Sequence, residues 1–178
     1  MDRDHHHEHD HGSHCAHADD HARRAPEAMA EVERRCKERG LRLTPIRRAV
    51  LEALYGTHRP VGAYDIIELI GSRGGPRHLA PITVYRALEF LLAEGFAHKL
   101  ASRNAFLACP HFHGPGDMVV FLICERCGGV DEAASPELAV SLNRLIGREG
   151  FKVETRVLEL TGECSHCRNP ADAAPALS

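Results

Sequence analysis

Two Cys-x-x-Cys pairs are the part of this sequence whose spacing most directly indicates a chemistry. Cys124 and Cys127 form the first pair, and Cys164 and Cys167 form the second. Each pair can present two thiolates from one tight turn, and two such turns complete the tetrahedral ligand set of a zinc ion. Because four thiolates leave no open position for a substrate, we expect this zinc to be structural.

A second, looser set of potential metal ligands mixes nitrogen, sulfur and oxygen donors. Its members are His98, Cys109, His111, His113, Asp117 and Glu132. They lie within or on either side of residues 110–117, a stretch rich in Gly, Pro and His that is typical of a connecting loop. A metal ion bound by them would close a hinge, so the set is a candidate regulatory site.

The elements that must position these residues change type part-way along the chain. Before residue 110, apolar residues at helical spacing predict helices over 26–39, 45–54, 63–70 and 82–93, and a hairpin follows over 96–100 and 104–109. Helices followed by a hairpin are the order of a winged helix-turn-helix. Farther on, the pattern predicts strands over 118–123, 130–133 and 151–160 and a helix over 136–148.

The predicted fold is therefore α+β, with a winged helix-turn-helix domain followed by a small α/β dimerisation domain that contains the four-cysteine zinc site. The second domain alone has little core, so a metal or a partner subunit is expected to stabilise it. The predicted organisation is a disordered His-rich tail (1–25), a winged-helix DNA-binding domain (26–109), a hinge (110–117), the dimerisation domain (118–168) and a disordered tail (169–178).

Composition narrows the class of protein. No apolar run approaches the roughly 18 residues that span a bilayer, and the acidic, His-rich N-terminus is not a signal peptide, so a cytoplasmic protein without a membrane partner is expected. Seven cysteines in that compartment indicate metal ligands or free thiols. The net charge of −3 hides a basic segment, because residues 32–100 carry 12 basic and 7 acidic side chains, or +5.

The helix predicted over 82–93 contains the candidate DNA-reading residues. Thr83, Tyr85 and Arg86 lie near its N-terminus, the end that enters the major groove in helix-turn-helix proteins. Arg pairs well with guanine, whereas Thr and Tyr suit phosphates and base edges. Tyr64, at the start of the preceding helix, is a further candidate.

The motifs Pro81-Ile-Thr-Val-Tyr-Arg-Ala-Leu, Glu94-Gly-Phe-Ala-His-Lys, Phe121-Leu-Ile-Cys-Glu-Arg-Cys-Gly and Gly162-Glu-Cys-Ser-His-Cys resemble those of the ferric uptake regulator superfamily. The resemblance covers Met29 to Arg168 and is strongest to the zinc uptake regulators. A thiolate at Cys109 favours Zn²⁺ over the harder Fe²⁺ or Mn²⁺.

The resemblance implies a repressor that binds AT-rich palindromic double-stranded DNA as a homodimer, with about two zinc ions per subunit and no small organic substrate. It implies base contacts from Tyr64 and Arg86, and a regulatory site of His98, Cys109, Glu132 and one residue of the hinge loop. Many relatives have a His eight residues after the Cys, where this chain has Asp117. His113 and His111 are the other candidates for that ligand.

Two other functions are compatible with these residues. One is an Fe²⁺ or Mn²⁺ sensor of the same superfamily, and the more distant one is a zinc-dependent hydrolase that uses the mixed ligand set. Catalytic zinc needs an open water position and a poised base, and no His-Glu-x-x-His or deaminase pattern is present. We therefore expect a protein that is not an enzyme.

Overall fold

The structure, a computed structural model, describes residues 16–75, 79–112, 118–153 and 156–168. The helices are α1 (Ala16–Glu38), α2 (Pro45–Tyr55), α3 (Ala63–Ser72), α4 (Pro81–Ala93), α5 (Pro136–Arg148) and α6 (Ser165–Arg168). The strands are β1 (Ala97–Leu100), β2 (Ala105–Ala108), β3 (Val119–Cys124), β4 (Val130–Ala134) and β5 (Leu158–Gly162). This mixed architecture confirms the predicted fold class. The domain boundaries stay a prediction.

Residues 16–75 and 79–109 fold around one apolar core and are called the winged-helix unit below. The N-cap Thr44 accepts a hydrogen bond from the backbone N–H of Arg47, and Pro45 and Pro81 begin their helices at the position that tolerates proline. The core is formed by α1, α2, α3 and α4 together with the hairpin β1–β2. Helix α4 buries the stripe Val84, Ala87, Leu88 and Leu91, which leaves its other face outside the core.

Helix α1 differs from its predicted extent. It begins at Ala16, whereas the sequence pattern places the start at Pro26 and assigns the residues before it to a disordered tail. Four alanines among residues 16–25 favour helix, and Ala25 packs against the core, which explains the extension. The tail prediction for residues 1–15 and 169–178 lies outside the described residues.

The hairpin β1–β2 is the wing, and it is antiparallel with Leu100 paired to Ala105. Its turn, residues 101–104 (the wing turn), contains Asn104 at φ +46°, a left-handed conformation that Asn tolerates better than most residues. Cys109 follows directly, and its backbone N–H donates to the carbonyl of Phe96 at 3.0 Å. The base of the wing therefore carries both His98 and Cys109.

Residues 118–153 and 156–168, the C-terminal unit, contain a three-stranded sheet in the order β4-β3-β5. Strand β4 pairs antiparallel with β3, whereas β5 pairs parallel with it. The strand predicted over 151–160 is shorter and later in the structure: β5 begins only at Leu158, and Phe151 is exposed. The sequence prediction also lacked α6, a single helical turn that carries Cys167.

The two units share a small apolar cluster. Leu100 of the wing is fully buried and packs with Phe121 and Ile123 of β3. The wing therefore lies across the face of the C-terminal sheet. Within the described residues, no helix combines the length and apolar character that a bilayer crossing requires.

Candidate functional site

The four Cys-x-x-Cys thiols converge on one point of the C-terminal unit and form the four-cysteine cluster. Cys124 ends β3, Cys127 lies in the turn toward β4, and Cys164 and Cys167 lie before and within α6. Their four sulfur atoms all lie within 4.8 Å of one another. Since zinc–thiolate bonds are about 2.3 Å long, ligands of one zinc lie about 4 Å apart, so this arrangement fits a tetrahedral zinc.

Cys124, Cys164 and Cys167 of this cluster have pKa values that are shifted in different directions. Burial acts to raise the pKa of Cys124, but backbone N–H groups, including that of Cys164 at 3.4 Å, outweigh it and lower the pKa to about 6. Burial and the neighbouring thiols raise the pKa of Cys164 and Cys167. The Cys124 thiolate is thus stabilised by the protein, whereas Cys164 and Cys167 need a cation to ionise, which is the electrostatic role of a bound zinc.

A second cluster, the mixed-ligand cluster, consists of His98, Cys109 and Glu132. One ligand atom from each lies within 4.8 Å of the others. The Nε2 atom of His98 is 3.7 Å from Oε1 of Glu132, and the Cys109 thiol is 3.9 Å from Oε2. His98 and Cys109 belong to the winged-helix unit and Glu132 to β4, so the structure brings these three predicted residues together across the unit boundary.

The Glu132 carboxylate is the most shielded charge at this site, with only 2% of its side chain exposed. Burying a carboxylate is costly unless positive charge or hydrogen bonds compensate it. Two imidazoles and a thiol surround it, and Nδ1 of His111 lies 3.3 Å from its Oε2 atom. Nitrogen, sulfur and oxygen donors around a buried carboxylate form a donor set that zinc accepts.

Of the three candidate hinge ligands, only His111 is among the described residues. It contacts Glu132, and its other ring nitrogen, Nε2, lies 3.0 Å from Nη1 of Arg24 on α1. His113 and Asp117 lie outside the described residues, so their part in the site stays a prediction. The contact with Arg24 was not predicted, because no sequence pattern links a helix in the N-terminal region to a loop 87 residues away.

Two further residues hold the mixed-ligand cluster in place. The Tyr55 hydroxyl on α2 donates to the backbone carbonyl of Cys109 at 3.0 Å, in a buried environment. The ring of Phe121 packs edge-on against His98, with centroids 5.1 Å apart. Burial first, and then the charges of Cys109 and Glu132, raise the pKa of Tyr55, so this hydroxyl stays a donor at neutral pH. Neither residue was singled out from the sequence as part of a site.

The four candidate DNA-reading residues lie on two consecutive helices. Tyr64, in the first turn of α3, is 65% exposed, and Tyr85 and Arg86 of α4 are exposed, whereas Thr83 is half-buried. The N-cap of α4 is Ala80, whose side chain cannot accept a hydrogen bond from the first backbone N–H groups. Pro81 has no backbone N–H and the Thr83 N–H donates to the Ala80 carbonyl at 2.9 Å, so any contact of this helix start with DNA depends mainly on its side chains.

Comparison with known proteins assigns the class of this protein. The family model described as the ferric uptake regulator family matches residues 38–161, most of the chain, and the chain belongs to this family. It is 36% identical over 141 residues to the zinc uptake regulation protein of Escherichia coli (strain K12), an alignment that covers 79% of this chain and 81% of that protein.

Two solved structures are similar to the whole fold. One is a zinc uptake regulator complexed with zinc and DNA, with a TM-score of 0.75 at 34% identity over 83% of this chain and 97% of that chain. The other is the crystal structure of holo XcZur, with a TM-score of 0.71 at 42% identity over 79% and 96% of the two chains. The resemblance inferred from the sequence motifs is thereby confirmed.

Proposed function

We propose that this chain is a zinc-responsive, DNA-binding repressor that controls zinc uptake genes. The observation that carries the proposal is the mixed-ligand cluster, which takes His98 and Cys109 from the winged-helix unit and Glu132 from the C-terminal unit. When a metal ion binds to ligands from both units, it fixes the position of one unit relative to the other. The zinc uptake regulators among the relatives support zinc as the signal.

The residues of the mixed-ligand cluster act by joining elements. A bound zinc would supply the positive charge at this site. An imidazole, a thiolate and a buried carboxylate would all bind it as ligands. His98 and Cys109 hold the two strands of the wing at its base, and Glu132 holds β4. Because only three residues separate the end of α4 from the start of β1, fixing the base of the wing also fixes α4 relative to the sheet.

The DNA-contacting surface of the proposal is formed by α3 and α4. Arg86 and Tyr85 would read base edges from α4, with Thr83 and Tyr64 at the margins of the contact. The surplus of basic residues over 32–100 supplies attraction for phosphates. A relative solved with zinc and DNA supports this assignment.

The C-terminal unit supports a homodimer. Helix α5 has no buried residue in the single chain, although Leu138, Val140 and Leu145 are large and apolar. Leu122 and Leu160 are exposed on neighbouring positions of the sheet. Exposed apolar groups of this kind mark an interface, and a two-fold dimer would also present two winged-helix units to a palindromic AT-rich operator. We place this dimer in the cytoplasm, with about two zinc ions per subunit.

The proposal is tested by fluorescence anisotropy of the full-length protein on an AT-rich palindromic DNA duplex. The duplex is taken from the region upstream of the gene for this protein or of a gene for a zinc importer. Free Zn²⁺, Fe²⁺ and Mn²⁺ are buffered in parallel series, and a scrambled duplex is the control. We expect Zn²⁺ alone to drive tight binding, with affinity that falls steeply as salt rises.

Each outcome decides between the functions considered. Stronger activation by Fe²⁺ or Mn²⁺ would assign the chain to another metal sensor of the family and remove zinc as the signal. Equal binding with and without metal, or equal binding to the scrambled duplex, would reject the zinc-responsive repressor.

A further inference from the structure

Strand β5 of the C-terminal unit carries a carboxylate that contacts the tip of the wing. Glu159 accepts hydrogen bonds from two successive backbone N–H groups of the wing turn, Ala101 at 2.7 Å and Ser102 at 3.2 Å. Each carboxylate oxygen takes one of them. These are charge-assisted hydrogen bonds, the stronger kind, and they join the two units through residues that lie 57 and 58 positions apart in sequence.

The strand register explains why Glu159 reaches the wing. Phe121 of β3 pairs with Glu132 of β4 on one side and with Glu159 of β5 on the other. Directly opposed residues of neighbouring strands project from the same face of a sheet. The row Glu132–Phe121–Glu159 therefore faces the wing as a whole, with one carboxylate on each side of a central aromatic ring.

The two carboxylates of this row hold opposite ends of the wing. Glu132 faces His98 and Cys109 at the base, whereas Glu159 holds the wing turn. Residue 101 lies three positions beyond His98, or about 10 Å farther along the strand. A single attachment at the base leaves a hairpin free to pivot, whereas a second attachment at this distance sets its angle.

We propose that Glu159 is a positioning residue for zinc-dependent DNA binding, which orients the wing, and with it α4, when the mixed-ligand cluster closes. The inference rests on the proposed function. Glu159 touches neither the metal ligands nor the DNA-contacting residues among its described contacts, so it acts through the wing. We therefore expect Glu159 to affect how strongly zinc binding increases DNA affinity, and not the binding of zinc alone or of DNA alone.

The electrostatics around Glu159 favour a charged clamp. Partial burial acts to raise the pKa of Glu159, but the Ser102 hydroxyl, the two wing-turn N–H groups and the positive charge of Arg103 outweigh it and lower the pKa. The carboxylate is thus ionised at neutral pH, where two N–H groups and a cation face it.

The proposal is tested by the ratio of DNA affinities of the zinc-loaded and zinc-free protein. The variants are E159A, which removes both acceptors, and E159Q, which keeps one acceptor and places a donor against the other N–H. E149Q removes an exposed carboxylate of the same unit and is the matched control. We expect the ratio to fall about tenfold in E159A, less in E159Q and not at all in E149Q, within the usual range of allosteric coupling.

Other roles give other results. A direct DNA contact would lower the affinity of the zinc-free and the zinc-loaded protein equally. A purely structural role would lower the thermal midpoint and leave the ratio unchanged. Either result overturns the proposal, and so does an unchanged ratio with an unchanged midpoint.

A measurement without DNA separates this proposal from the proposed function. Amide hydrogen exchange of Ala101 and Ser102 in the zinc-loaded protein is expected to be faster in E159A than in wild type, with E149Q unchanged. If zinc-loaded wild type fails to bind any operator duplex but exchange still accelerates in E159A, the repressor function falls and the clamp on the wing stands. If exchange does not change, the clamp itself is rejected.

Discussion

The two ligand clusters use related chemistry but differ in where their ligands originate. All four residues of the four-cysteine cluster belong to the C-terminal unit, whereas the mixed-ligand cluster takes residues from both units. Metal binding free energy that is confined to one unit stabilises that unit. When the ligands come from both units, the metal binding free energy favours one position of the units relative to each other. A metal sensor requires such a change. If the proposed function holds, the position of the ligands in the fold, more than their type, separates a structural zinc site from a regulatory one.

The surroundings of the two clusters also differ, because one cluster is held by local contacts and the other by contacts from distant elements. Backbone N–H groups of the Cys-x-x-Cys turns stabilise the four-cysteine cluster from within. The mixed-ligand cluster depends on distant elements instead: Tyr55 of α2, Arg24 of α1 through His111, and Phe121 of β3. Changes in many parts of the winged-helix unit should therefore affect the regulatory site and leave the structural one intact.

The largest effect is expected for C124S, which removes the thiolate that the protein itself stabilises. Structural zinc sites contribute roughly 10–16 kcal/mol of apparent binding free energy in small zinc domains, so its loss should unfold the C-terminal unit. Zinc content and the circular dichroism melting curve measure this. Retention of the wild-type zinc content and melting midpoint would contradict a structural role for the cluster.

A smaller and more selective effect is expected for C109S. Changes that disturb a metal site typically cost about 10- to 100-fold in metal affinity or activity. Because C109S weakens a ligand itself, we expect zinc-dependent DNA affinity to fall about 100-fold. Zinc at the four-cysteine cluster should stay bound. Anisotropy titration and zinc counting measure the two quantities. C36S is the matched control, because Cys36 is a buried thiol in the helical core, outside both clusters. Equal losses in C36S and C109S would deny Cys109 a specific role.

The smallest effect is expected for Y55F, which removes the hydroxyl that donates to the Cys109 carbonyl. A lost buried hydrogen bond costs about 0.5–1.5 kcal/mol, so we expect a few-fold weaker zinc affinity at the mixed-ligand cluster. Competition against a chromophoric chelator measures it. Y64F keeps that hydrogen bond and should leave zinc affinity unchanged. If Y55F also leaves it unchanged, the hydroxyl has no part in the site.

Much of the fold could be predicted from local patterns. Capping residues and apolar stripes locate α2, α3 and α4 to within a few residues, and the wing hairpin follows from a change of period. Predictions failed where the pattern was weak or tertiary packing decided. Helix α1 extends into a segment that composition alone assigns to a tail, and among the described residues β5 pairs with β3 only from Leu158 onward.

Features that depend on neighbours along the chain could be read from the sequence: paired thiols on tight turns, helices with one apolar face, and a basic middle segment. Which distant side chains meet became evident from the folded chain. It brought the predicted residues His98, Cys109 and Glu132 together, placed His111 beside Glu132, and brought Glu159 to the wing turn. The physical reason is that these contacts arise from strand register and from packing between units, which no period or spacing within one segment encodes.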